Sequence, residues 1–383
     1  MLEVYAFEIL TGRRLIPLPV STASWTITTN ADEQMTCAIL GDSLDAGKLD
    51  IWSLTTLARN GLLFVVDGMP VAAGPIWKRS YAQGRSITLT AGGLRSYWDR
   101  RIALPAAART TPLVNTTTGD PDASLDSTYT NLSLGTIAKR YVELAQAWPG
   151  AALPMILPAD EAGTRERTVL GVDVKTIREL HDNLSAVQGG PDIAFRPRFA
   201  TDGLGIVWEM EVGTTAKPRL GNADPKLTGW TVGAPNGATA YDLEVSEDGT
   251  GHVEEAWAVA GASDDKTLAA RSRLTVLSSA GFPLLQSAVT GLADVSVQAT
   301  VQAYADQTTT LGQYAASFWT AKVRAAGRGV PRFGDYWLGD LVTVTVDPVE
   351  PVLPSGDFVR RIASISGDQH DDAYQLTFAE AIA

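Results

Sequence analysis

Both ends of this 383-residue chain are written in short alternating runs broken by turn residues. Ser24-Trp25-Thr26-Ile27-Thr28-Thr29 alternates and is rich in β-branched residues, as a half-buried strand requires. Asn30-Ala31-Asp32-Glu33-Gln34 follows as a polar turn, and Met35 to Leu40 forms the returning strand. Leu62-Leu63-Phe64-Val65-Val66 meets Asp67-Gly68, a strong hairpin signal, and Val71 to Trp77 comes back. Ser86-Ile87-Thr88-Leu89-Thr90 alternates again. About six short strands with turn signals predict a small barrel or sandwich. At the other end, Val342, Val344 and Val346 alternate with Thr343 and Thr345. Pro348 to Gly356 reads as a Pro-rich loop. Phe358 to Ile365 and Tyr374 to Phe378 complete a three-stranded meander.

The middle of the chain changes period. Ala106 to Thr128 is rich in Thr, Pro, Asp and Ala without a period and reads as a long connection. Leu134, Ile137, Ala138, Tyr141, Leu144 and Trp148 fall at helical spacing, and Pro149-Gly150 stops the run. A second helix is expected with Asp173 as its N-cap, Ile177, Leu180, Leu184 and Val187 on one face, and Gly189-Gly190 as its end. Ile193 to Phe199 and Ile206 to Val212 form a hairpin around Asp202-Gly203. Its register sets Phe199 against Ile206, Phe195 against Met210 and Arg196 against Glu209. Pro197 places the first of these strands at a sheet edge. Residues 221–261 read as β-rich, with Tyr241 to Val245 alternating. Two further helices are expected. One is capped by Ser263-Asp264 and runs to Leu277; the other spans Thr308 to Ala326 with Leu311, Tyr314, Ala315 and Phe318 in phase. The fold class is therefore mainly β with α+β insertions.

Charge narrows the function. The net charge of −12 makes a poor ligand for phosphate backbones or anionic membranes, which are bound through Lys and Arg. Apolar residues at 45% and charged residues at 19% supply enough core-forming material for two or three folded parts. The single cysteine, Cys37, forms no intrachain disulfide and sits in an apolar run as a small buried hydrophobe. The N-terminus lacks the basic segment of a signal peptide, and no apolar stretch reaches membrane-spanning length.

Every catalytic pattern lacks a part. Gly41-Asp42-Ser43-Leu44, followed by Asp45-Ala46-Gly47, looks like the nucleophile block of GDSL-type esterases, which need an Asp-x-x-His pair. The residues three before His181, His252 and His370 are Arg178, Gly249 and Gly367. His370-Asp371-Asp372 is the one His–carboxylate cluster and reads as a solvated turn. His181 flanks the apolar stripe of its helix as a boundary residue. Glu254 and Glu255 are neighbours in a strand and point to opposite faces, so they do not flank one bond. Asp264-Asp265 suits a helix N-terminus. Ala91-Gly92-Gly93-Leu94 reads as a bend and not a phosphate cradle. No residue earns a catalytic, metal-binding or cofactor-binding assignment.

Ala73-Gly74-Pro75-Ile76-Trp77-Lys78-Arg79, then Ile87 to Leu94, then Tyr97-Trp98-Asp99-Arg100-Arg101 resemble the N-terminal barrel of siphophage minor tail proteins from phages of actinobacteria. Those proteins are similar to the trimeric baseplate hub of contractile-tailed phages. The resemblance continues in Gly190 to Phe199 with Ile206 to Glu209, in Gly339 to Val344 and in Arg361 to Asp368. It implies two tail-tube-like β-barrels with an intermediate α+β domain. The boundaries expected on that basis are residues 1–105 for the first barrel and 106–215 for the α+β domain. The second barrel would be split over 216–262 and 333–383, with a helical insertion at 263–332. The resemblance further implies a homotrimeric tail hub without enzymatic activity, joining the sixfold tail to a threefold tip. Its partners would be the distal tail ring, the tape-measure C-terminus and tip or fibre proteins, with genomic DNA passing through unbound. The alternatives are a tail-tip cell-wall or glycan hydrolase and a receptor- or carbohydrate-binding tail module.

Overall fold

In the computed structural model, the described residues are all of 1–383 except 1, 41–48, 84–85, 223, 226–228, 234–237, 262–266, 293–294, 296, 315, 326–329, 348–352 and 381–383. The esterase-like Gly41 to Gly47, the Ser263-Asp264 and Asp264-Asp265 pairs, Ala315, and Pro348 to Pro351 in the Pro-rich loop therefore lie outside the described residues.

Thirteen strands among the described residues join into one sheet that uses both ends of the chain. Leu2–Glu8, Val20–Thr28, Gln34–Leu40, Asn60–Val66, Met69–Ala82 and Ser86–Gly92 build its N-terminal part. Gly229–Val232, Ala240–Asp248, Ala316–Arg324, Leu341–Val346, Gly356–Asp368 and Ala373–Glu380 build the C-terminal part, and the short Ile16–Pro17 strand, paired with Leu2–Glu8, completes the thirteen. The seam is antiparallel: Thr28 pairs with Ser364, and Ser24 with Asp368. Leu18 N donates to Val4 O at 2.9 Å, bringing the chain just before Val20–Thr28 back to Leu2–Glu8. Asp67 and Gly68 take φ of 49° and 79°, the left-handed pair that a two-residue hairpin turn demands.

The unbroken apolar run Leu62 to Val66 has a simple cause. Asn60–Val66 is buried on both faces. Leu62, Phe64 and Val66 enter a core with Trp25, Met35 and Cys37 that extends to Trp230, Ile362 and Phe378. Leu63 and Val65 face a second core built with Trp98, Ile137, Leu180 and Trp208. Two-sided burial removes the need for alternation. Cys37 is 1% exposed, and burial pushes its thiol up to about 12, so it behaves as the small hydrophobe its sequence context implies.

The second core lies between the large sheet and an α+β layer. Leu134–Gln146 is a helix capped by Ser133, whose hydroxyl accepts from Thr136 N. The next helix is Ile177–Ser185, and its cap is Thr176, which accepts from Glu179 N; Asp173 instead ends a short 3-10 turn. The Thr-x-x-Glu spacing is a capping-box signal closer to the apolar stripe than Asp173. The hairpin Ile193–Phe199 with Ile206–Val212 has the expected register, and its first strand lies at the edge of a three-stranded sheet.

Two helix expectations fail. Thr267–Arg273 is a strand paired antiparallel with Glu255–Gly261, and only Val276–Ser279 is helical before Ala280. The long helix is Gln298–Leu311, and Ala316–Arg324 is a strand. Leu311, Tyr314 and Phe318 are exposed, whereas Ser317, Trp319, Ala321 and Val323 are buried. That second set alternates, so period 2 decided the segment and the helical phase was coincidental.

Candidate assembly surfaces and a buried junction

The chemical candidates resolve into structural roles. His181 is fully buried, which corrects its reading as a boundary residue. The spacing of Ile177, Leu180, His181 and Leu184 puts it on the buried face of its helix. Its Nε2 donates to Ala138 O at 3.0 Å, and its ring lies against Tyr141 and Phe195. Burial lowers its pKa to about 4, with Arg95 adding to the effect. The unfolded chain therefore takes up a proton between pH 6.5 and 4 that the folded chain refuses. Stability falls as pH drops through that window, by about 3 kcal/mol in full. His181→Phe should flatten this acid-side slope in denaturant unfolding. An unchanged slope would show that the ring is not held neutral.

Glu254 and Glu255 are buried and paired. Glu254 Oε1 accepts from Arg273 Nη2 at 2.9 Å and from Ser278 Oγ at 3.0 Å. Glu255 accepts from Arg271 and Gln286. These carboxylates tie the Thr267–Arg273 strand and the following turn to Glu255–Gly261. His370 sits in an exposed turn where Asp368 Oδ1 accepts from the His370 and Asp371 amides at 2.7 and 2.9 Å. Among the described residues no group of His, Cys, Asp or Glu has a metal-holding arrangement, and no helix is long and apolar enough to cross a membrane.

Asp192 is the buried joint that local sequence patterns miss. It is fully buried at the meeting point of four segments. Its Oδ1 accepts from Asn30 Nδ2 at 2.8 Å and Arg219 Nη1 at 3.3 Å. Its Oδ2 accepts from Leu220 N at 2.9 Å and from Arg361 Nη2. Asn30 returns the contact by accepting from Ile193 N at 2.9 Å, with its backbone at φ 52°. One carboxylate thus joins the Asn30 turn, the hairpin, the 213–222 connection and the Gly356–Asp368 strand. Gly-Pro-Asp before a strand reads as an ordinary turn; its partners lie up to 169 residues away.

On the hairpin's polar face the pairing is diagonal. Arg198 Nε reaches Glu209 at 2.8 Å and its Nη2 reaches Glu211 at 3.4 Å. Arg196 instead lies over the Trp337 ring at 4.0 Å, with Glu211 at 3.8 Å. It fastens the hairpin to the C-terminal part of the large sheet.

The small sheet of Glu255–Gly261, Thr267–Arg273 and Gln286–Val289 carries exposed apolar side chains. The Gln298–Leu311 helix packs on one of its faces. The other face carries Trp257 and Val259, 46% and 39% exposed, beside the exposed Ala269 and Ala288. Arg271 lies 5.2 Å from the Trp257 ring centroid. Leu274, Val276, Phe282 and Leu284 continue the exposed apolar surface along the chain.

No family model matches the sequence, and no curated protein matches it. Solved structures do. The tail protein from Neisseria meningitidis MC58 superposes with a TM-score of 0.57 at 11% identity, over 99% of this chain and 97% of that one. The 43 kDa tail protein of prophage MuSo2 from Shewanella oneidensis gives 0.55 at 12%, over 99% and 98%. A chain of the lidded Francisella PdpA–VgrG complex gives 0.50 at 8%, over 99% of this chain and 52% of that one. From end to end, this chain has the mainly β fold of phage tail proteins.

Proposed function

We propose that this chain is a structural component of a bacteriophage tail, a hub without an active site. The observation that carries the reading is the end-to-end match to two tail proteins over nearly the whole of each chain. The finer picture follows from the sequence resemblance. Three copies would form the ring, with barrels at 1–105 and at 216–262 with 333–383, an α+β part at 106–215 and an insertion at 263–332 whose Ala316–Arg324 strand returns to the large sheet. The ring would join a sixfold distal tail ring to a threefold tip, contacting the tape-measure C-terminus and tip or fibre proteins. The −12 charge supports a wall along which DNA passes without sticking. The exposed Trp257 face supports contacts with neighbouring subunits.

The test is native mass together with imaging. The pure chain at micromolar concentration is expected to form trimers, and labelled copies are expected at the tail tip of virions. A strictly monomeric chain that hydrolyses host cell wall would overturn the reading.

A further inference from the structure

A cavity of about 40 Å³ lies where three parts of the molecule meet. Thr29 and Glu33 line it from the Asn30 turn, Arg95 from the Leu94–Trp98 helix, Phe195 and Glu211 from the hairpin, and Trp337 from the loop before Leu341–Val346. Four polar atoms of these residues are buried and have no protein partner: Thr29 Oγ1, Glu33 Oε2, Arg95 Nε and Arg95 Nη1. Arg95 is 5% exposed and spends only Nη2 on a partner, Asp182. Glu33 is partly exposed as a residue, yet Oε2 is sealed from solvent. Orphaned buried polar atoms are rare because each costs about 1–3 kcal/mol. Four around one small space point to a ligand that both donates and accepts. The volume has room for roughly two or three waters.

We propose that this cavity is a hydration site in which ordered waters bridge Glu33, Thr29 and Arg95, and that the state of the Glu33 proton sets how firmly the three parts are joined. Waters accept from both arginine N–H groups and satisfy the carboxyl and the hydroxyl at once. A direct Glu33–Arg95 ion pair is absent, so the carboxyl gains little by ionising. Burial is the main cause that raises its pKa from 4.5 to about 8. A backbone bond to Ala73 opposes the rise, and Asp32 adds to it. The charged groups around the site are Asp32 on the same turn, Arg95, Arg178 and Asp182 on the two helices, and Glu211 on the hairpin. Arg178 Nη1 is held by Asp32 at 2.7 Å, and Arg95 by Asp182. Arg178 is thus engaged by Asp32, and Arg95 spends Nη2 on Asp182 and keeps Nε and Nη1 for the cavity.

The sign follows. Between pH 4.5 and about 8 the unfolded chain releases a proton that the folded chain keeps, so this site loses stability as pH rises and has lost all of it above about 8. Glu33→Gln keeps the shape and cannot ionise. In denaturant unfolding of the full chain from pH 5 to 9, the ratio of its folding constant to that of the wild type should climb at least about tenfold towards alkaline pH. A flat ratio overturns the proton-linked half of the proposal. Carbon-13 NMR of the Glu33 carboxyl in the wild-type chain reads the same point without a variant: a midpoint above pH 7 supports it, and one near 4.5 overturns it. A high-resolution crystal structure at pH 6 tests the water. Ordered waters on Arg95 Nε or Nη1 and on Glu33 support the site, whereas a dry cavity or direct Glu33–Arg95 contact overturns it.

Discussion

Asp192→Ala is expected to destabilise the chain by about 3–5 kcal/mol, because it removes one side of a buried charge cluster and leaves the other behind. Arg361 is only 16% exposed at its side chain, so its guanidinium would lose its carboxylate and have little water to replace it. Leu220 N and Asn30 Nδ2 would also lose their acceptor. Asn30 in turn orients Ile193 N at the start of the hairpin, so the damage spreads along the Ile193–Phe199 strand. Asp192→Asn keeps the shape but removes the charge and turns one acceptor oxygen into a donor amide, so its cost should fall between wild type and the Ala variant. The measurement is the urea midpoint of the full chain, with amide hydrogen exchange to locate the change. Protection should drop together at the Asn30 turn, at Ile193 and Leu220, and around Arg361. A loss below 1 kcal/mol, or a change confined to the 190–193 turn, would show that Asp192 merely fills a turn and does not join the four segments.

Local pattern told more about strands than about joints. The hairpin of Ile193–Phe199 and Ile206–Val212 was readable to the residue pair. Apolar alternation on one face and opposite charges on the other admit one register, and a slip by one residue would turn Phe195 and Met210 outward. The seam between Val20–Thr28 and Gly356–Asp368 was not readable, because nothing in either strand names a partner about 340 positions away. The segment 308–326 shows two periods competing in one stretch. Leu311, Tyr314 and Phe318 fit a helix, Trp319, Ala321 and Val323 fit a strand, and pairing with Ala373–Glu380 settles the choice. His181 reads as flanking the apolar stripe, but its i+4 spacing from Ile177 and i−3 spacing from Leu184 put it within the stripe. The carbonyl of Ala138 and two aromatic rings take the place of water there. The junction of Asp192 and the cavity beside Glu33 depend on contacts between distant segments, which only the folded chain brings together.

Trp208→Ala should be comparably costly, at about 3–5 kcal/mol. Trp208 is fully buried in the core between the large sheet and the α+β layer, with its ring centroid 5.7 Å from that of Phe7. Its Nε1 donates to Ala73 O at 3.1 Å, reaching from the hairpin onto the Met69–Ala82 strand. Its backbone N donates to Pro154 O at 2.9 Å, and it pairs with Met155 in the parallel ladder. Truncation opens a cavity beneath three segments that are held in place on other sides, so the space has little freedom to collapse. Trp208→Phe separates the two contributions. It keeps most of the ring volume and gives up the bond to Ala73 O, so its cost should be smaller, with about 1 kcal/mol from the lost bond itself. Denaturant unfolding followed by far-ultraviolet circular dichroism measures both variants without relying on the indole that is removed. Equal costs for Phe and Ala would mean that the hydrogen bond, and not the packing, seats the hairpin. A small cost for both would mean that the α+β layer is held to the sheet elsewhere, which would leave Asp192 and the Arg196–Trp337 contact as the joints that matter.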